Sequence, residues 1–146
     1  MKGLTYTFKI AIIFCLSWCL IVISSPTIAS DAESLNRLQI MVFAVQLKGC
    51  DCRDYASGKY LSEGDYFTIR TTLSRGNQYV IMGAGDSTVR DLDIILYDEN
   101  GNEIDRDTQT DATPMVAVSP RWTGTFYIKV KMYRGFGYSN VAICYQ

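Results

Sequence analysis

Phe126-Tyr127-Ile128-Lys129-Val130-Lys131-Met132-Tyr133 alternates strictly: Phe, Ile, Val and Met on one side, Tyr and Lys on the other. A period of two over this length is the mark of a half-buried β-strand, because successive side chains leave opposite faces of the pleat. Working outward, Phe67, Ile69, Thr71 and Leu73 share one face of an earlier strand that ends at Ser74-Arg75-Gly76-Asn77. Tyr79 to Ala84 is an apolar run closed by Gly85-Asp86. In Asp91 to Asp98, Leu92, Ile94 and Leu96 point one way, and Asp91, Asp93, Ile95 and Tyr97 the other. Asn100-Gly101 is a hairpin signal, so Glu103 to Asp105 is expected to return as a partner strand. Met115 to Val118, flanked by Pro114 and Pro120, reads as an edge strand. Tyr138 to Tyr145 closes the domain. About seven to eight short strands separated by turn residues predict an all-β antiparallel sandwich.

Upstream the period changes. Leu35, Leu38, Val42 and Val45 recur at three and four, with Ile40, Phe43 and Leu47 widening the stripe, and predict a helix over residues 31–48. Ser30 and Glu33 have capping-box spacing, and Gly49 suits the stop. Cys50 to Lys59 is polar and reads as a connector, so residues 31–59 form a helix with its connector and residues 60–146 the sandwich.

Residues 1–30 carry Lys2 and Lys9, no acid, and an apolar run from Ile10 to Ile23 that breaks at Ser24-Ser25-Pro26. That order is a secretory signal peptide with cleavage after Ala29 or Ser30, which predicts a secreted or periplasmic protein with no membrane span after processing. Cys15 and Cys19 leave with the leader. The remaining Cys50, Cys52 and Cys144 allow one bridge in an oxidising compartment, Cys144 with Cys52 or, as the close second, with Cys50.

The chain has no histidine, which removes Ser-His-Asp and Cys-His catalysis and the usual zinc sites. The 14 basic residues, less Lys2 and Lys9, stand against 15 acidic ones, a balance that does not suit a nucleic-acid binder. Residues 86–111 nevertheless hold nine acids against Arg90 and Arg106, whereas residues 112–146 hold no acid and Arg121, Lys129, Lys131 and Arg134. Pairing of strands from these two segments would neutralise both. Asp91 and Asp93 share a strand face and, joined by Asp86, are the candidate calcium ligands. Asp98-Glu99-Asn100-Gly101-Asn102 has its glycine in the wrong place for an EF-hand and reads as a turn.

Taken together, Leu61-x-x-Gly64, Gly76-x-x-Tyr79, Gly85-Asp86, Asp91-Leu92-Asp93-Ile94-x-Leu96-Tyr97-Asp98, Thr123-Gly124-x-Phe126-Tyr127-Ile128-x-Val130 and Gly137-Tyr138 resemble the bacterial pre-peptidase C-terminal domain. That family is related to the collagen-binding domains of clostridial collagenases. The resemblance implies a jelly-roll-like, non-catalytic sandwich with roles in secretion or in substrate and matrix binding, and often calcium. Here no peptidase precedes the domain within the sequence.

Tyr97, Tyr127 and Tyr133 on the polar strand faces, with Trp122 in a turn, are the candidate binding surface, since exposed Tyr and Trp anchor protein and sugar interfaces. The expected function is an exported, non-enzymatic module engaging an extracellular or envelope protein or polysaccharide, with no required cofactor. The alternative is an accessory part of a cell-envelope assembly docked through its N-terminal helix.

Overall fold

The alternating stretch around Ile128 forms β7 (Gly124–Gly135), which lies between β2 (Tyr66–Leu73) and β4 (Val89–Tyr97), with β5 (Glu103–Asp107) at the edge beyond β4. The structure is a computed structural model that describes residues 28–146. The second sheet consists of β1 (Asp51–Leu61), β8 (Gly137–Tyr145), β3 (Tyr79–Gly85) and β6 (Met115–Val118), in that spatial order. All pairings are antiparallel. The orders β1-β8-β3-β6 and β2-β7-β4-β5 are those of an eight-stranded jelly roll, in which most connections cross from one sheet to the other. The predicted leader lies, save for its last three residues, outside the described residues.

The core between the sheets is built from the alternating positions. Leu92, Ile94 and Leu96 of β4 and Phe126, Ile128, Val130 and Met132 of β7 face Ile81 of β3 and Val141 and Ile143 of β8. β6 is an edge strand, as its flanking prolines require. The Asp98 carboxylate accepts hydrogen bonds from the Asn100 and Asn102 backbone and the Asn102 side chain, and Gly101 has φ +81°, so this segment is the β4–β5 hairpin turn.

The helix α1 (Asp31–Gln46) begins at Ser30, whose hydroxyl accepts from the Glu33 backbone N–H. Only this half of the capping box forms. The Ser30 N–H donates instead to Asp86, and the Glu33 carboxylate takes the Ser87 N–H and hydroxyl and pairs with Arg37. Leu38 and Val42 pack on Met82, Ala84, Ala142 and Cys144, the outer face of the β1-β8-β3-β6 sheet. Nearer the N-terminus the seal is polar: Asn140 donates to Asp31 and to the buried Ser34 hydroxyl, and Arg37 donates to the Gly85 carbonyl.

Two expectations are corrected. Residues 51–59 are not a connector but most of β1, since backbone pairing with β8 fixes them where no apolar alternation does. The apolar stripe of α1 is also narrower than predicted: Ile40, Phe43 and Leu47 point away from the sheet and are 64%, 62% and 73% exposed. The contact with the sheet is made by Leu38 and Val42, with Met41 and Val45 beside them, and leaves no room on that side for the wider stripe.

The Cys52–Cys144 bridge is present. The two residues are directly opposed in the β1–β8 register, and both belong to the cluster beneath α1. Cys50 is free and half-buried at the helix end.

Candidate functional site

Among the described residues, one helix and two sheets leave one broad strand surface without a helix over it, the outer face of β2-β7-β4-β5. Antiparallel register puts directly opposed residues on the same side. The pairings therefore set Tyr66, Lys131 and Asp93 in one row. Thr68, Lys129, Ile95 and Arg106 form the next, and Arg70, Tyr127 and Tyr97 a third. Lys129 Nζ lies 4.2 Å from the Tyr66 ring centroid and Lys131 Nζ 5.2 Å from that of Tyr133. These contacts hold aromatic and basic groups together on an exposed face.

Three of the four predicted aromatics are thus strand-face residues. Tyr97 and Tyr127 are half-buried cross-strand partners, and Tyr133 is exposed. Trp122 is elsewhere. It stacks on Phe126 with centroids 5.6 Å apart, packs against the core and donates its indole N–H to Glu99. Tyr66 and Arg70, both exposed, belong to the face and were not singled out from the sequence. Their alternation with Phe67 and Ile69 was the available signal.

At one end of this face the β4–β7 ladder carries two irregularities. Val89 opposes Gly135 and Asp91 opposes Arg134, leaving Arg90 as an extra residue; Leu92 opposes Met132, leaving Tyr133 as another. Such bulges bend strands and re-aim side chains. Gly135 makes the corner possible. Its φ is +95°, and a Cβ there would lie 2.7 Å from the Thr88 carbonyl oxygen. Two concavities flank the corner. One, of about 310 Å³, is lined by Arg90, Arg134, Ser87, Thr88, Glu63 and Phe136. The other, of about 390 Å³, is lined by Asp91, Asp93, Arg106, Lys131 and Tyr133, with Thr108 and Thr110 at its side.

Asp91 and Asp93 are 6% and 7% exposed. Burial raises both carboxyls above their ordinary range, reinforced by the Asp111 charge at Asp91 and by Asp91 itself at Asp93. The predicted charge pairing is there at the level of register, Asp93 opposite Lys131 and Asp91 opposite Arg134. Among the described residues, however, the ion pairs within 4 Å are Arg37–Glu33 and Arg106–Glu103 only.

Asp86 does not join them. It is fully buried and accepts from the Ser30, Thr88 and Tyr138 backbone N–H groups, with the Thr88 hydroxyl 2.5 Å from Oδ1. Burial opposes its ionisation, yet these donors outweigh it and hold the carboxyl below its ordinary value. Its role is structural, knotting the start of α1 to the β3–β4 loop and β8. No group of three or more acidic or cysteine side chains suited to hold a metal occurs among the described residues.

No family model matches the chain, and no curated protein gives a significant match. A solved structure with a similar fold is that of Aeromonas hydrophila PliG, a periplasmic lysozyme inhibitor of g-type lysozyme. The likeness has a TM-score of 0.51 at 14% identity and covers 68% of this chain and 90% of that one. At that identity it bears on the fold alone, and it agrees with the sandwich. Among the described residues no helix is long and apolar enough to cross a membrane.

Proposed function

We propose that the chain is an exported, non-catalytic binding module that engages a protein partner outside the cytoplasm through the open face of the β2-β7-β4-β5 sheet. The observation that carries this is the asymmetry of the sandwich. One sheet is sealed by α1, and the other presents Tyr66, Arg70, Tyr127, Lys129 and Tyr133 to solvent or half-exposed. Tyrosine and arginine are the side chains most enriched at protein interfaces. Three further features support the reading: a disulfide in a chain with a signal-like leader, the likeness in fold to a periplasmic protein that inhibits another protein, and the resemblance to the non-catalytic pre-peptidase C-terminal domain. The histidine-free composition leaves no conventional nucleophile pair.

The test is capture of partners from the organism's extracytoplasmic fractions on the immobilised protein, in parallel with Tyr127→Ala and Lys129→Glu variants. Lysozymes make the first panel to assay for inhibition. A protein retained by the parent and released by both variants supports the reading. Retention of polysaccharide instead, or capture indifferent to both substitutions, overturns it.

A second reading has its own observation. Ile40 and Phe43 of α1 and its C-cap Leu47, spaced three and four apart, form an exposed apolar row, the arrangement by which a helix docks into a groove. Loss of capture in Phe43→Ser, with Tyr127→Ala unaffected, would favour an assembly component held by its helix.

A further inference from the structure

We propose that the groove over Asp91 and Asp93 is the seat of a cationic side chain, a lysine or arginine, of the protein partner. This rests on the sheet-face reading above and names the chemistry that the partner brings.

The decisive observation is an orphaned atom. Asp91 Oδ1 is buried and has no hydrogen-bond partner among the described residues, although Asp91 lines an open groove beside Asp93. A buried carboxylate oxygen without a donor is costly, so its persistence points to a donor that arrives from outside. The neighbouring cations do not supply one. Arg106 is engaged by Glu103, Lys131 lies against the Tyr133 ring, and Arg134, although opposite Asp91 in register, comes within 4 Å of no carboxylate among the described residues. Arg134 near Asp91, and Lys131 and Arg106 near Asp93, thus lend charge without donating a hydrogen bond, and burial, ahead of the neighbouring acids, accounts for the raised proton affinity of both carboxyls.

The surroundings favour an organic cation over a metal ion. Calcium takes six to eight oxygen ligands, whereas the third expected carboxylate, Asp86, is bound up in the α1 junction. A guanidinium or ammonium needs less: two carboxylates to accept its N–H groups, the Thr108 and Thr110 side chains beside them, and an aromatic ring alongside. Tyr133, 60% exposed and projected by its bulge, supplies the ring.

Nuclear magnetic resonance titration of the purified protein with N-acetyl-arginine amide tests this without needing the partner. Saturable shifts at Asp91, Asp93, Thr108 and Thr110 are expected, with affinity falling about tenfold or more in Asp93→Asn and in Asp91→Asn. N-acetyl-glutamine amide, which still offers side-chain N–H donors but carries no charge, should give none. The dispersion of each variant's spectrum reports its folding, and Tyr133→Ala, which leaves both carboxylates in place, serves as an independent variant with weakened binding. The proposal is overturned by absence of saturable shifts, by equal response to the glutamine amide, or by indifference to all three substitutions. It is equally overturned if calcium chloride binds the same residues and displaces the arginine probe. Failure of partner capture would leave this titration standing, and the reverse, so the two readings fail separately.

Discussion

The Ser30 backbone N–H donates to Asp86 Oδ2 at 2.8 Å across a sequence separation of 56 residues. With Tyr138 N–H on the same oxygen, a single carboxylate joins the first turn of α1, the β3–β4 loop and the first residues of β8. Asp86→Ala should leave three part-buried backbone donors without their acceptor and cost about 1–3 kcal/mol, water replacing part of what is lost. Chemical denaturation measures it. Hydrogen exchange should show α1 opening before the sheets.

The pH dependence follows from the same residue. Its folded carboxyl is held below the unfolded value, so its stabilisation is complete above the unfolded value and lost as pH falls through the folded one. Asp86→Asn should flatten the acid limb of a stability–pH curve, and an unchanged limb would show that Asp86 is not its source.

Asp91 and Asp93 carry the opposite sign. Their folded carboxyls titrate above the unfolded value, so the fold loses stability as pH rises through that window toward neutrality. Asp93→Asn should therefore raise the melting midpoint at pH 7 and leave it near the parent's value at pH 3. A midpoint lowered at pH 7 would mean that the carboxylate holds the free fold together.

Cys144→Ala should lower stability by about 2–5 kcal/mol, the usual worth of a native bridge in a small secreted domain. Non-reducing peptide mapping should recover Cys52 joined to Cys144 and Cys50 as a free thiol.

Leu38→Ala should cost about 2–5 kcal/mol, because Leu38 is fully buried between helix and sheet. Phe43→Ala, on the exposed side, should cost less than about 0.5 kcal/mol. Similar losses in the two variants would mean that the exposed face of the helix is covered in solution.

The strands with clean alternation were legible because core and solvent impose the period directly, as Phe126 to Met132 and Leu92 to Leu96 show. β1 was not, because Asp51 to Lys59 owes its shape to the β8 backbone and to two register shifts, which leave no regular side-chain pattern. The helix was legible in place but not in width, since periodicity marks every apolar residue on a face and cannot say how many the opposing sheet accommodates. Within the site, the shared face of Asp91 and Asp93 followed from a period of two. The diversion of Asp86 did not, because it depends on where the β3–β4 loop meets Ser30 in three dimensions. Trp122 does lie in a turn, but its stacking was hidden for a similar reason: a turn residue's burial is decided by what lies under the turn, here Phe126.

Strand β8 is last in the chain yet lies between β1 and β3, inside its sheet. Neither neighbour can complete its ladder, and α1 has only part of its floor, until the nine residues of β8 have arrived. A chain delivered N-terminus first thus leaves this sheet open until β8 emerges. Loss of β8 would leave β1 with no partner strand and β3 open on one side, which makes it the keystone of its sheet.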